Sequence, residues 1–289
     1  MKTIMKIVVL GAMGQLGRDL LPRLPGEVIP VTRADVDLSA PGAIAAYIDR
    51  TVPDIVINCA AYNLVDKAEA DPTAAFAVNA WAVRELAEAC RNAYLVHVST
   101  DYVYGLEDSR HTPYREEDAP GPVSIYGLSK LNGEYLVRSI TPKHLVIRTC
   151  GLYGVWGSGG KGGNFVETML RVAAQGKPMR VVDDQRCTPT STRDLATMIT
   201  ELIECNATGL YHAVNAGDCT WFEFATEIFR LANLRVDLTP IPSSGYPTPA
   251  KRPPYSVLNT DKLRALGPAP RHWKDALANY LHDRQQRNA

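Results

Sequence analysis

No stretch of this sequence is long and apolar enough to span a membrane. The longest hydrophobic runs, around residues 7–10 and 54–58, fall far short of the roughly 18 residues a spanning helix needs. An excess of charge of either sign is also missing. The 31 Lys and Arg balance the 31 Asp and Glu, and only 21% of residues are charged. That leaves no basic field to hold a nucleic-acid backbone or an anionic membrane, although a local cationic site remains possible. Residues 1–6 have no apolar signal core, because a strand-like run and a glycine turn follow at once. The six cysteines show neither a CxxC nor a paired metal-ligand spacing, and a chain of 289 residues does not need disulfide staples. Free thiols in a reducing cytoplasm are expected. The absences leave a cytoplasmic globular protein of one large or two modest domains, partnered by neither nucleic acid nor membrane.

Short apolar runs alternate with longer amphipathic stretches through the first half. Strands are expected over 6–10, 28–31, 54–59 and 94–98, and helices over 15–24, 43–50 and 68–92. Strands separated by helices of this length predict a Rossmann-like doubly wound parallel sheet in an α/β fold. The second half is different. Five glycines fall within 157–163 and six prolines within 240–254, which reads as long loops. Helices are expected over 165–174, 193–204, 221–232 and 272–282. This predicts a smaller, mixed α/β C-terminal part packed on the first, with the ligand site in the cleft between them. In that division, residues 1–150 bind a dinucleotide, with return segments within 178–217, and 151–289 form a discontinuous substrate-binding part.

The segment Gly11-Ala-Met-Gly14-Gln15-Leu16-Gly17 follows the first strand and opens the first helix. Glycines let the backbone approach a pyrophosphate, and a helix start offers unpaired N–H groups. The competing reading is a tight glycine-rich turn without a ligand. After the second strand an acid would select NAD by bonding the ribose 2′-hydroxyl, whereas a cation takes a 2′-phosphate. Here the chain has Arg33, with no acid until Asp35. NADPH is therefore favoured, with NADH still possible, and a solvated surface arginine is the competing reading. Asp37 can meet the adenine amino group while Leu38 packs on its ring. Ala60, Ala61 and Tyr62, after the third strand, offer a wall beside which a cofactor can lie.

Tyr126 and Lys130 stand four residues apart, on one helix face and about 5–6 Å apart at Cβ. A free tyrosine titrates near ~10. A nearby ammonium is expected to lower that value by about 1–3 units, toward the range useful for proton transfer. Thr100, at the C-terminal end of a strand, can bond the same substrate oxygen. The spacing alone equally suits an ordinary amphipathic helix. His97 and His212 read as packed histidines, since neither has a partner carboxylate or cysteine at catalytic spacing. Trp221, Phe222, Phe224 and Phe229 read as core by their near-helical spacing. The 157–163 segment is open between a substrate-closing loop and a plain connection.

Together these residues resemble the extended short-chain dehydrogenase/reductases, and within them the dTDP-4-dehydrorhamnose reductases. The likeness runs through Gly11 to Gly17, Pro53 to Tyr62, Val65 to Pro72, Ser99 to Tyr104, Tyr126 to Lys130 with Gly133-Glu134, Arg148-Thr149, Asn164-Phe165, Asp184-Gln185 with Thr188 to Thr190, and Arg252-Pro253 with Ser256 to Lys262. The resemblance implies NADPH-dependent reduction of the C4 keto group of a dTDP-4-dehydro-6-deoxyhexose. Tyr126 would donate the proton, Lys130 would orient the ribose and tune the phenol, and Thr100 would polarise the keto group. Gly14, Gln15 and Leu16 would line the cofactor. Thr100, Asp101, Asn164, Gln185 and Arg252 would contact a nucleotide-sugar substrate. Two departures stand out. Where the family carries a tryptophan after Arg-Thr-Ser, this chain has Arg148-Thr-Cys-Gly151, with Trp156 nearby. Where some relatives bind magnesium at a dimer interface, it has Asp19 and Arg193, and a cation is a poor metal ligand. No metal is expected, and the protein is expected to be a monomer or homodimer. The rival readings are a nucleotide-sugar epimerase with permanently bound NAD, and a non-catalytic NADP-binding subunit resembling the regulatory subunit of methionine adenosyltransferase.

Overall fold

Strands buried on both faces read as continuous apolar runs rather than as alternating ones, and the runs in this chain meet in one sheet. The computed structural model describes residues 4–157 and 163–288. Its six main strands are Lys6–Leu10, Glu27–Val31, Ile55–Asn58, Tyr94–Thr100, His144–Thr149 and Gly209–His212. Across the sheet they run sixth, fifth, fourth, third, first, second, and every neighbouring pair is parallel. The architecture is the doubly wound α/β fold. Strand order reverses between the first and third strands, so the ligand crevice of such a sheet lies beyond Leu10 and Asn58.

Successive side chains on a strand point to opposite faces, and each strand therefore feeds two cores. Ile7, Val9, Ile57, Val96 and Ile147 pack with Leu16, Leu20, Leu195 and Ile199, from helices Gln15–Leu20 and Thr192–Glu204. Val8, Leu10, Val56, Leu95 and Val146 pack with Ile44, Val83, Leu86 and Val137, from helices Ala43–Thr51, Ala82–Ala89 and Ile125–Ile140. The 178–217 stretch returns to the sheet, bringing Thr192–Glu204 against the first helix and adding the sixth strand.

The helix expected over 68–92 is broken. It comprises Val65–Ala70, Pro72–Phe76 and Ala82–Ala89, with a π-helical turn over Ala77–Trp81. Pro72 lacks the N–H that would continue the first segment, and Asp71 caps the second by accepting from the Ala74 N–H at 3.0 Å. The first helix also stops early, at Leu20, and passes into the 3-10 turn Leu21–Arg23 around Pro22. The proline-rich 240–254 stretch is not loop throughout, because Leu238–Ile241 pairs with Met179–Val182. Of the glycine-rich 157–163 stretch, residues 158–162 lie outside the described residues. A separate core of Tyr153, Val166, Phe224, Ile228, Trp273 and Leu277 holds together helices Phe165–Ala173, Trp221–Leu231 and Trp273–Asn288. Among the described residues, no helix is long and apolar enough to cross a membrane.

Charge is buried beside the sheet. Glu134 and Arg148 are 0% and 1% exposed. The Arg148 Nε and Nη2 groups donate to the Glu134 carboxylate at 2.7–3.1 Å, and Ser99 Oγ donates to it at 2.5 Å. Arg148 Nη1 donates to the Tyr104 phenol at 2.5 Å, which in turn meets His212 Nε2 at 3.1 Å. Burial, helped by Arg148, holds the His212 pKa at about 3. The ring is therefore neutral, with Nδ1 directed at the Asn259 carbonyl at 3.2 Å. One hydrogen-bonded chain thus ties the fourth, fifth and sixth strands to helix Ile125–Ile140. Removing one member of a buried ion pair leaves an uncompensated charge and costs about 3–5 kcal/mol. Glu134→Ala should lower the urea midpoint by that amount of stability, and Glu134→Leu combined with Arg148→Met should restore most of it. A single-variant loss under about 1 kcal/mol, the scale of an exposed pair, would contradict this reading.

Candidate active site

The glycine turn is shaped by what surrounds it. Gly11 has φ +73°, and a Cβ there would stand 2.8 Å from the Ala60 backbone nitrogen. The turn therefore lies directly on the 58–62 segment, across the switch point of the sheet. Ala60 N–H donates to Asn58 Oδ1 at 3.1 Å, while Asn58 Nδ2 donates to His97 Nδ1 at 3.2 Å. Gln15 donates to the Leu152 carbonyl at 3.3 Å, but its Oε1 is buried with no partner. That orphaned acceptor beside a glycine cradle fits a dinucleotide. Leu38, Ala60, Ala61 and Tyr62 are half-buried along the same edge. Arg33 has its side chain 84% exposed and only a 3.4 Å contact to Asp37, so its guanidinium is available to an anion. Asp37 is held mainly by the Ser39 hydroxyl and N–H, at 2.7 and 2.9 Å.

Helix Ile125–Ile140 carries the next group. Ser124 caps it by accepting from the Gly127 N–H at 3.2 Å. At Gly127 a Cβ would fall 2.1 Å from the Tyr102 carbonyl oxygen, so only glycine lets the helix lie against the turn after the fourth strand. Tyr126 is thereby brought beside Thr100, whose hydroxyl acts on the phenol to lower its pKa. One turn on, Lys130 is 2% exposed and donates to the Val98 carbonyl at 2.7 Å. Asn79 fixes this helix to the cofactor edge. It bonds both the N–H and C=O of Tyr62 at 2.9 Å and donates to Ser129 Oγ at 3.0 Å.

The protonation states differ from the sequence expectation. Burial pushes the Tyr126 phenol up to about 12, against the Thr100 hydrogen bond that lowers it and with Asp101 adding to the rise. The expected lowering by Lys130 is absent because that ammonium is turned to the Val98 carbonyl. Burial also pulls Lys130 down to about 8, opposed by Glu134 and Cys59. At neutral pH the pair is thus a protonated phenol beside a charged lysine. His97 is fully buried, and burial together with Lys130 keeps it neutral.

Asp101 is 3% exposed and its carboxyl is turned inward. It receives Ser256 Oγ at 2.6 Å, the Cys150 thiol at 3.0 Å and Thr100 Oγ1 at 3.2 Å, while burial raises its pKa. Arg252 grips Asp66 with both terminal nitrogens at 2.6 and 2.7 Å and also donates to the Ala250 carbonyl. The Tyr102 ring stands edge-on to Tyr126, 5.6 Å between centroids. Thr100, Asp101 and Tyr126 therefore form one group, with Lys130 one helical turn on and Arg252 held by Asp66. Asn164 and Gln185 are not bonded to it among the described residues. The Asn164 amide instead caps helix Phe165–Ala173, accepting from the Glu167 N–H at 3.0 Å and donating to the Gly154 carbonyl at 3.1 Å. Gln185 is half-buried next to Asp184, which accepts from the Ser243 N–H at 2.9 Å. Asp19 accepts from Trp156 Nε1 and Thr192 Oγ1, and Arg193 pairs with Asp283 at 2.6 Å.

A family model described as RmlD substrate binding domain matches residues 5–286. The chain belongs to the RmlD substrate-binding family. Among relatives of this RmlD-family chain, the spore coat polysaccharide biosynthesis protein SpsK of Bacillus subtilis (strain 168) is 39% identical over 284 residues, 96% of this chain and 98% of that one. The crystal structure of a dTDP-4-dehydrorhamnose reductase from Clostridium acetobutylicum ATCC 824 superposes with a TM-score of 0.91 at 40% identity, covering 97% of this chain and 100% of that one. A dTDP-4-dehydrorhamnose reductase from Bacillus anthracis str. Ames, solved in complex with NADP, gives a TM-score of 0.90 at 35% identity, with the same coverage. Several residues of this RmlD-family site were not singled out from sequence, namely Asp66, Asn79, Tyr102, Glu134 and Ser256. Asp66, Tyr102, Glu134 and Ser256 fall within stretches of family likeness, but nothing in their spacing announces a partner so distant in sequence.

Proposed function

We propose that this protein is a cytoplasmic, NADPH-dependent reductase of a dTDP-4-dehydro-6-deoxyhexose, converting dTDP-4-dehydro-L-rhamnose to dTDP-L-rhamnose. The observation that carries this reading is the buried, protonated Tyr126 beside Thr100, one helical turn along helix Ile125–Ile140 from the buried, charged Lys130. Full-length likeness to dTDP-4-dehydrorhamnose reductases, one of them solved with NADP, supports the substrate and cofactor classes.

Residues 1–150, with segments returning within 178–217, hold the cofactor, and the remainder of 151–289 holds the sugar nucleotide. Gly11, Gly14, Gln15, Leu16 and Gly17 receive the pyrophosphate, and Arg33 takes the 2′-phosphate. Asp37 and Leu38 contact the adenine, while Ala60, Ala61 and Tyr62 flank the bound molecule and Lys130 orients its ribose. When bound, NADPH supplies hydride to C4 of the sugar. Tyr126 supplies the other half of the reduction: its O–H bond breaks as the proton passes to the C4 oxygen, leaving a phenolate. A phenol titrating near 12 stays fully protonated at neutral pH and so arrives loaded for this step. Thr100 donates to the same oxygen and polarises it. Asp101, Asn164, Gln185 and Arg252 border the substrate, where the guanidinium of Arg252 suits a diphosphate.

Purified protein mixed with NADPH and dTDP-4-dehydro-L-rhamnose should consume NADPH and form dTDP-L-rhamnose. No cofactor oxidation with this or related 4-keto sugars would sink the reductase reading. Tyr126→Phe should bind NADPH nearly as the native protein does but lower kcat by about 10²–10⁴, and an unchanged rate would remove Tyr126 from the role. Arg33→Ala should weaken NADPH far more than NADH in equilibrium titrations, whereas equal losses would dismiss the phosphate contact. Lys130 loses its charge as pH rises through about 8, so NADPH affinity should fall above that pH. Lys130→Met should flatten the profile, and a native profile already flat to pH 9.5 would exclude the charged-lysine role.

A further inference from the structure

Trp221 reads as core by its spacing, yet it is only half-buried at the start of helix Trp221–Leu231, whereas Phe224 and Phe229 of the same helix are 0% and 4% exposed. The difference lies in where its ring goes. Gly151 has φ +54°, a left-handed conformation that favours glycine, and a Cβ there would lie 3.5 Å from Trp221 Cη2. The benzenoid end of the indole therefore rests on the bare Gly151 backbone. Cys150, the preceding residue, donates its thiol to Asp101, and Asp101 accepts from Thr100, which lies beside Tyr126. On its other side the Trp221 ring lies 4.7 Å, centroid to centroid, from Phe165, which directly follows Asn164. The indole thus bridges the core around Cys150, Cys187 and Tyr255 and the core of the C-terminal part. Nothing among the described residues accepts from its Nε1, and that atom is not among the buried unpaired groups, so it reaches solvent.

We propose that Trp221 is a specificity-determining residue whose indole forms one wall of the keto-sugar subsite, left uncovered because position 151 carries no side chain. This rests on the reductase reading above. A 6-deoxyhexose presents C–H faces and a methyl group, which pack on an aromatic ring, while its hydroxyls can take the free N–H. The nucleotide makes no demand on this wall. The loss on removing the indole should therefore follow the sugar and spare both the nucleotide and the cofactor.

Equilibrium titrations of native protein, Trp221→Phe and Trp221→Leu with dTDP, dTDP-L-rhamnose and NADPH separate these contributions. Trp221→Leu should weaken dTDP-L-rhamnose by roughly 3- to 12-fold, the span of one aromatic contact, with dTDP and NADPH affinities unchanged. Trp221→Phe, which keeps most of the packing, should fall between the native protein and Trp221→Leu. In turnover, KM for the 4-keto sugar nucleotide should rise in the same order, with kcat changed less. Equal weakening of dTDP and dTDP-L-rhamnose, or a lowered Tm with all three affinities intact, would overturn the proposal and return Trp221 to a packing role. If native protein shows no turnover but loses sugar-dependent affinity in these variants, the reaction assignment fails and the subsite wall stands.

Discussion

The active geometry depends on a charge pair buried out of reach of water. Glu134 is the third member of the Tyr126, Lys130, Glu134 series along one helix face, and its carboxylate is neutralised by Arg148 from the adjoining strand. Taking two ions into a protein interior carries a desolvation penalty of several kcal/mol per ion, and only tight geometry with satisfied hydrogen bonds offsets it. Here Ser99 and Tyr104 complete the partners. Because Ser99 precedes Thr100 and Glu134 follows Lys130 by one turn, the same pair fixes the register between strand and helix on which the approach of Tyr126 to Thr100 relies. A helix shifted by one residue would strand both charges.

Electrostatics in the site follow from this dry setting. Burial alone drives the phenol up and the lysine down, which on its own would hold both groups uncharged near pH 8. The carboxylate one turn further on keeps the ammonium from falling lower. The same logic applies at Arg252, whose charge is balanced by Asp66 before any anion arrives.

Much of this was legible before the coordinates, and for identifiable reasons. Parallel strands buried on both faces appear as unbroken apolar runs, so the first half of the sheet and its helices could be read within a few residues. The glycine turn and the Tyr126–Lys130 spacing are local signals, complete within one turn and one helix. The break at Asp71-Pro72 was also local, but it was hidden inside a strongly helical composition. What could not be read were relations across long separations. Asn79 with Tyr62 and Ser129, Asp66 with Arg252, and Ser256 with Asp101 are contacts that only the folded chain creates. The Lys130 expectation failed for a related reason: spacing places an ammonium near a phenol but does not say that the Val98 carbonyl will hold it.

The sheet also dictates a timetable. Its last strand, Gly209–His212, closes against His144–Thr149 only after residues 150–208 have been made. During synthesis on a ribosome, the fifth strand therefore waits with one side unpaired, a row of free N–H and C=O groups able to join another nascent chain. The edge is capped late, by a strand that follows the fifth only after the intervening residues 150–208. Folding of this protein should accordingly be most vulnerable to association between chains in the interval before residue 212 emerges, and a chaperone that shields that edge would act on this interval alone.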